Sequence, residues 1–458
     1  MRMVKSRDVN MLSGSITKGL LAIGLPVMLM NVLQSLFQIV DLTVLKTFDT
    51  DGMAVGAVGV CGSLITLMNN LVIGIATGAN VVVAKHIGKG DQEHVDRAVG
   101  TAVAFAILAG ICLTAVGVLG AETFLRWVDC PEELLSRAVL YFRLYYIGAP
   151  LLMVYNFLIS ILRSTGNSRR ILEISIIGGV VKILANYLFV AVFRMGIVGI
   201  AMATIVAWAV YVGLALFTLL RSKGVVKLKL RRVRLYRSEL PSILRIGVPT
   251  GLQMCLYSFA NVIISAAVNS FGAQATTGIS IANTFDGIMY NICNATSLAV
   301  LPYVSQNVGA GNIKRAGQSV WRGVMVTVCF GATFGALSAI FSPQLSSLMS
   351  DDPVVIAYSC QKMIIISSTY FICGINDVFN AALRAMGKPT FPTVMTLIFM
   401  CGLRFVWVYG IFPLVPNLTF LYLVWPIGWV CCITCGLPVY FALKRKLTRM
   451  HAPVPAEE

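Results

Sequence analysis

The second half of this chain repeats the first at a spacing of about 221 to 223 residues. Ile23-Gly24-Leu25-Pro26 returns as Ile246-Gly247-Val248-Pro249, and His86-Ile87-Gly88-Lys89-Gly90-Asp91 returns as Asn307-Val308-Gly309-Ala310-Gly311-Asn312. Leu162-Arg163-Ser164-Thr165-Gly166 returns as Leu383-Arg384-Ala385-Met386-Gly387. Both copies are built from long apolar runs, so one architecture must serve twice. Of the 458 residues, 57% are apolar and 12% are charged, against roughly 25% charged in soluble proteins. Such a chain lacks the charge to cover a surface in water.

Runs of about 20 apolar residues are long enough to cross a bilayer as helices. Twelve are expected, at 19–45, 54–80, 98–120, 136–160, 171–193, 197–220, 243–270, 276–303, 319–341, 354–382, 390–412 and 418–442. The expected fold is an all-α integral membrane protein, with twelve transmembrane helices in two parallel six-helix repeats forming two lobes. Six is even, so each half enters and leaves on the same face, which makes the repeats parallel rather than inverted. The expected parts are a segment at 1–18, a first lobe at 19–220, a basic linker at 221–242, a second lobe at 243–442 and a tail at 443–458. Two similar bundles that rock against each other expose a site to either side in turn, which points to transport.

The net charge of +17 raises the question of a nucleic-acid partner. Most of the 36 Lys and Arg fall on one side of the expected spans: Arg2, Lys5, Arg7 and Lys18 at the start, eight from Arg221 through Lys223 to Arg237 in the linker, and Lys444 to Arg449 in the tail. The opposite loops hold Lys46, Arg126, Arg137, Arg194 and Lys362. Such asymmetry marks the cytoplasmic side, so a cell (inner or plasma) membrane with both termini inside is expected. The partner for this charge is anionic membrane lipid, not nucleic acid. Most of the twelve cysteines lie in apolar helices as small hydrophobes, with Cys130 and Cys360 nearer the outer face. No paired metal spacing and no cleaved signal segment is read. The linker is open to two readings, an amphipathic helix on the inner leaflet or a solvated tether. Pro26 and Pro249 occupy matching places in the first helix of each half, where each removes a backbone hydrogen bond.

The repeated blocks, with Gln306 preceding the second copy, Arg315-Ala316 following it and Lys388 after the Leu-Arg-x-x-Gly block, resemble the multidrug and toxic-compound extrusion (MATE) family. Gly196-Ile197-Val198-Gly199-Ile200-Ala201-Met202-Ala203-Thr204 is similar to that family's small-residue stretch. The resemblance spans about residues 16 to 442. It implies two lobes forming a V, a central cavity, and export of bulky, often cationic organic compounds driven by H⁺ or Na⁺.

An ionisable group at membrane depth is costly unless paired or wet, which makes each one a functional candidate. Asn31, Gln34, Gln38 and Asp41 fall on one face of the first helix. The bland reading of Asp41 is an acid at the outer helix end beside Asp49 and Asp51; the polar stripe favours an ion-coupling carboxylate. Asp41 also matches the acid of proton-coupled, DinF-like members. In the fifth helix the resemblance leads one to expect an Asn and then an Asn or Asp four residues on, where this chain has Lys182 and Asn186. Lys182 has two open readings: it approaches Asp41 and competes with the transported ion, or it snorkels or pairs elsewhere; in either case a lysine there weakens a Na⁺ site. Thr204, at the end of the small-residue stretch, joins the ion-coupling candidates.

In the second half Asp377 is the repeat partner of Asn156. Asp377 matches an acid of NorM-like members, whereas their acid in the seventh helix falls here on Tyr257. Asp286 or Asp377 is expected within reach of Arg404, as a structural pair or a second coupling site, with Na⁺ near Asp41 or Asp377 the alternative to H⁺. Substrate contacts are expected from Gln34, Gln38, Phe37, Tyr257 and Met289, with Met30, Met68, Tyr155 and Phe259 as further cavity candidates and Asp286 attracting cationic solutes. Arg143 and Lys362 read as interfacial anchors. The expected function is a monomeric secondary antiporter for small organic cations and drugs, needing no cofactor beyond H⁺ or Na⁺. The runner-up is a flippase for a lipid-linked precursor. An enzyme is disfavoured because His86, His94 and His451 all lie in expected cytoplasmic segments, away from any nucleophile.

Overall fold

The computed structural model describes residues 9–48, 53–222 and 224–451, apart from the side chains of Gln38, Ile39, Leu42, Leu45, Lys46 and Val55. Arg2, Lys5, Arg7, Asp49, Asp51 and Lys223, like the side chains of Gln38 and Lys46, lie outside the described residues. The described residues are mostly helical, with no strand among them. The first half runs α1 (Ile16–Phe48), α2 (Met53–Lys89), α3 (Gln92–Trp127), α4 in two pieces (Glu132–Ile147 and Ala149–Ser164), α5 (Ser168–Val192) and α6 (Gly196–Leu220). The second half runs α7 (Leu240–Asn269), α8 (Ala273–Gly309), α9 (Ile313–Ile340), α10 (Pro353–Ala385), α11 (Thr390–Leu414) and α12 (Leu418–Met450).

Ten of these helices are long and apolar enough to cross a membrane alone, and the bent α4 makes eleven. The twelfth, α8, matches them with 37 residues and is polar through Ser, Thr, Asn and Gln rather than charge. Several helices outrun the expected spans because apolar runs mark only the part that meets hydrocarbon; α12 continues to Met450 through the start of the expected tail. The fourth span bends by 48° at Gly148. Pro150 follows at once, and its missing N–H and its ring break the helical ladder there.

The duplicated blocks turn out to be backbone punctuation. Gly90 and Gly311 both have positive φ, 70° and 74°, a conformation open to glycine at little cost. One residue on, Asp91 N–H donates to the His86 carbonyl at 3.2 Å, and Asn312 N–H donates to the Asn307 carbonyl at 2.8 Å. That is the helix-ending motif in which the residue after glycine reaches back five positions. The same Asp91 and Asn312 then cap the next helix, accepting from the backbone N–H of His94 and Arg315. Each copy of this block stops one span and starts its neighbour within a few residues.

By contacts the chain divides into two compact units. Leu29–Ile87 and Asp91–Gly251 belong to the first, while Asn10–Met28, Gly88–Gly90 and the chain from Leu252 onward belong to the second. The border therefore falls inside α1 and α7, close after Pro26 and Pro249 in each case, and the expected linker lies wholly within the first unit.

The linker matches neither of its two readings. Among its described residues the one helical turn ahead of α7 is Leu230–Arg232, and the linker is strapped along the start of α3. Buried Asp96 accepts from Lys229 Nζ at 2.5 Å and pairs with Arg232 at 3.3 Å. Gln92 donates to the Val225 carbonyl, and Tyr236 N–H donates to Thr101 Oγ1. Val226 and Leu228 are buried, and Gly100 leaves room for the Arg232 carbonyl to pass. A Cβ at Gly100 collides with that carbonyl, so Gly100→Ala is expected to loosen the strap and hasten tryptic cleavage between Lys229 and Arg237 relative to wild type.

Just beyond the strap, buried Glu239 is paired with His86 at 3.1 Å. Burial alone pushes the Glu239 carboxyl up, but the hydrogen bond and charge of His86, with His94 and Ser238, hold it below the usual carboxylate range. A lowered carboxyl pKa stabilises the fold above the unfolded-state value, and this contribution is lost as pH falls through the lowered value. Glu239→Gln is expected to cost about 1 kcal/mol near neutrality, and the gap between the two unfolding midpoints should close as pH falls below the carboxylate range.

Candidate functional site

The first unit brings Asp41, Lys182 and Asn186 together. Lys182 and Asn186 lie four residues apart on α5 and so share a face. Lys182 Nζ donates to Asp41 Oδ2, and Asn186 Nδ2 donates to Asp41 Oδ1. Two glycines let this happen. Gly179 lies against the Phe37 ring, and Gly178 lies against the Tyr211 ring; a Cβ at either runs into its neighbour. Phe37 and Asp41, one turn apart on α1, therefore pack in step with Gly179 and Lys182 on α5. The two helices meet with their polar registers aligned.

The group is covered but not sealed. The side chains of Asp41 and Lys182 are 13% and 16% exposed, and Asn186 is buried. Tyr155 stacks on Tyr211 with ring centroids 4.9 Å apart, and its hydroxyl faces Gln34 and Ser175. Gln34, Phe37 and Asp41 thus contact one helix group along α1, as the polar stripe suggests. Asn156 and Thr204 do not join it among the described residues. Asn156 is held by its own helix, donating to the Leu152 carbonyl at 2.9 Å, and Thr204 is buried on α6.

In the second unit the expected pairing with Arg404 fails. Asp286 pairs with Lys362 at 2.9 Å, and Lys362 also donates to Asn283 Oδ1. Lys362 is only 3% exposed. It is no interfacial anchor: it sits nine residues into α10, about 14 Å from the helix start. Asp286, expected to attract cationic solutes, is already neutralised. Asp377 accepts from Asn294 at 3.4 Å, and the charge of Arg384, two turns on along α10, acts on it without a direct ion pair among the described residues. Arg384 donates to Gln253 Oε1, and Gln253 donates to Thr396 Oγ1 at 2.9 Å. Arg404 faces other helices, donating from Nη1 to Asn261 Oδ1 at 2.7 Å and lying over the Trp425 ring at 4.9 Å.

Tyr257 accepts from Asn376 at 3.3 Å, so the hydroxyl that stands where an acid was looked for is engaged by the neighbour of Asp377. Met289 and Met30 are buried packing residues. Phe259 is 60% exposed. The residues that sequence reasoning missed are Lys362, Asn261, Trp425 and Arg384. One signal was available for Arg404. Two sets of π turns interrupt α11, at Thr396–Gly402 and Trp407–Ile411, and a π turn accommodates one extra residue. At a spacing of 222, within the 221 to 223 of the repeat, Arg404 is the counterpart of Lys182.

Removing Lys182 leaves the Asp41 carboxylate in a poorly hydrated site with Asn186 alone. Lys182→Ala is expected to destabilise the purified protein by about 3 kcal/mol, and the double variant Asp41→Asn/Lys182→Ala is expected to regain most of that. Thermal unfolding of the three variants measures it.

Comparison with known proteins places this geometry in context. A family profile described as MatE matches residues 26–188 and 249–409, one match in each half. The chain is 28% identical over 392 residues, 86% of its length and 87% of the relative's, to "Probable multidrug resistance protein YpnP" of Bacillus subtilis (strain 168). It is 23% identical, over 84% of its length and 86% of the relative's, to the "FAD transporter" of Shewanella oneidensis. Among solved structures, the outward-facing conformation of a multidrug resistance MATE family transporter of the MOP superfamily superposes with a TM-score of 0.87 at 19% identity, covering 96% of this chain and 100% of that one.

Proposed function

Since the chain belongs to the MatE family, and is therefore a multi-pass membrane transporter rather than an enzyme, we propose that it exports small organic compounds as a proton-coupled antiporter working by alternating access. It acts as a monomer in the cell membrane, with both termini in the cytoplasm as the basic loops direct. The observation that carries the coupling is the Asp41–Lys182–Asn186 group. While Asp41 is ionised, the ammonium of Lys182 compensates it. A proton reaching Asp41 removes the negative charge and leaves Lys182 unpaired in a poorly hydrated place, which is unfavourable. The helices that carry them then prefer another arrangement, and the proton leaves when the group is wetted from the other side. Protonation is thereby converted into a bias between two states, as a driven cycle requires.

H⁺ is favoured over Na⁺ by the same contacts. Both Asp41 oxygens accept N–H donors, and a fixed ammonium repels a second cation where Na⁺ would need several oxygen ligands. A lipid-linked precursor remains the weaker reading of the cargo.

The test uses proteoliposomes loaded with rhodamine 123 and rhodamine 110. Efflux is expected to accelerate under an imposed pH gradient and to ignore a Na⁺ gradient. Asp41→Asn should abolish the acceleration, and Lys182→Ala should shift its pH dependence. Wild-type efflux indifferent to both gradients overturns the antiporter reading.

A further inference from the structure

The second unit keeps a buried cation whose acid partner is missing. Arg404 is 2% exposed, and no carboxylate among the described residues lies within salt-bridge distance of it. The two carboxylates of the membrane-spanning part of this unit are engaged elsewhere, Asp286 with Lys362 and Asp377 with Asn294 beside Arg384. What holds Arg404 is neutral: the amide oxygen of Asn261 at 2.7 Å and the face of Trp425 at 4.9 Å. Its Nε–H, buried, has no acceptor. Lys362 lies over the same indole, 5.7 Å from the ring centroid. Two cations thus share one ring, and only Lys362 has a carboxylate, which leaves a net positive charge around Trp425.

The duplication sharpens the point. Lys182, the counterpart of Arg404 at a spacing of 222, meets Asp41 in the first unit. At the spacing of 223 that relates Pro26 to Pro249, the counterpart of Asp41 is Ile264. The second half therefore retains the cation and has lost the anion. A guanidinium out of water is costly unless paired, and its fork of donors suits a carboxylate or phosphate. We propose that Arg404, with Lys362 across Trp425, binds an oxyanion group of the transported solute, which fills the place that Asp41 fills in the other half. The solute class is then organic acids and zwitterions, including carboxylates and phosphate esters, rather than simple cations. This rests on the transporter reading above and names the cargo of that same protein. Arg404 is covered in this structure by half-buried Trp425, and the π turns on both sides of it make α11 the yielding element.

The test is equilibrium binding to purified wild-type protein in neutral detergent, with no ion gradient, so that failed coupling and failed recognition separate. The probes are rhodamine 110, which carries a free carboxylate, and rhodamine 123, its methyl ester. Wild type is expected to bind rhodamine 110 at least about tenfold more tightly. Arg404→Gln should bring the two affinities together, and Arg404→Lys should restore part of the preference. In the absence of dye, Arg404→Gln should unfold at or above the wild-type temperature, because an uncompensated charge has been removed. Equal wild-type affinities, or a preference untouched by Arg404→Gln, overturn the proposal. So does a marked loss of stability in Arg404→Gln, which would make Arg404 a structural residue. A lipid source overturns it too: Arg404-dependent stabilisation by phosphatidylglycerol with no preference between the dyes.

Discussion

The cost of holding charge away from water organises this protein more than any packing rule does. An apolar lobe tolerates an ionisable side chain only with a partner or a route to water. The two units meet that demand differently. In the first, a carboxylate, an ammonium and an amide close on one another across α1 and α5. In the second, the acids are taken by α10 and by the amides of α8, while Arg404 is left with an amide and an indole. One half carries a compensated group, the one proposed to respond to a proton, and the other carries an excess of positive charge.

Duplication explains how both arise on one scaffold. The repeated blocks carry backbone instructions: a glycine at positive φ, a residue that reaches back five positions, and a side chain that caps the next helix. Those instructions leave the lobe interiors open. At matching places Asp41 stands against Ile264, Lys182 against Arg404, Asn156 against Asp377 and Tyr141 against Lys362. Helix order and turn chemistry are held in common, while the polar residues are redistributed among helices. The one-residue accommodation in the π turns of α11 shifts a register without breaking the span.

Several features were legible before any coordinates. The spans follow from apolar runs, and a polar stripe on α1 with a long cationic side chain on α5 made the meeting of Asp41 with Lys182 one of two open readings, which the contact itself decides. Other features were not legible. Lys362 looked like an anchor because a lone lysine near an expected helix end usually snorkels, yet Asp286 and Asn283 of α8 take it inside the unit. The linker was open to a leaflet-bound helix or a solvated tether because alternating basic and apolar residues fit a membrane surface as well as a protein surface. Only Asp96, placed by the fold beneath Lys229 and Arg232, decides which surface it lies on.

The order of residues by itself determined that the chain is helical, spans a bilayer, and is built twice. These are consequences of hydropathy and of local backbone preference, which act over a few residues at a time. The rotation of each helix about its axis was decided by tertiary structure. Rotation depends on which glycine faces which ring and on where a proline or π turn offsets the register, and it selects the partner of every buried charge. Arg404 takes Asn261 and Trp425, and Asp286 takes Lys362, because neighbouring helices present those side chains there.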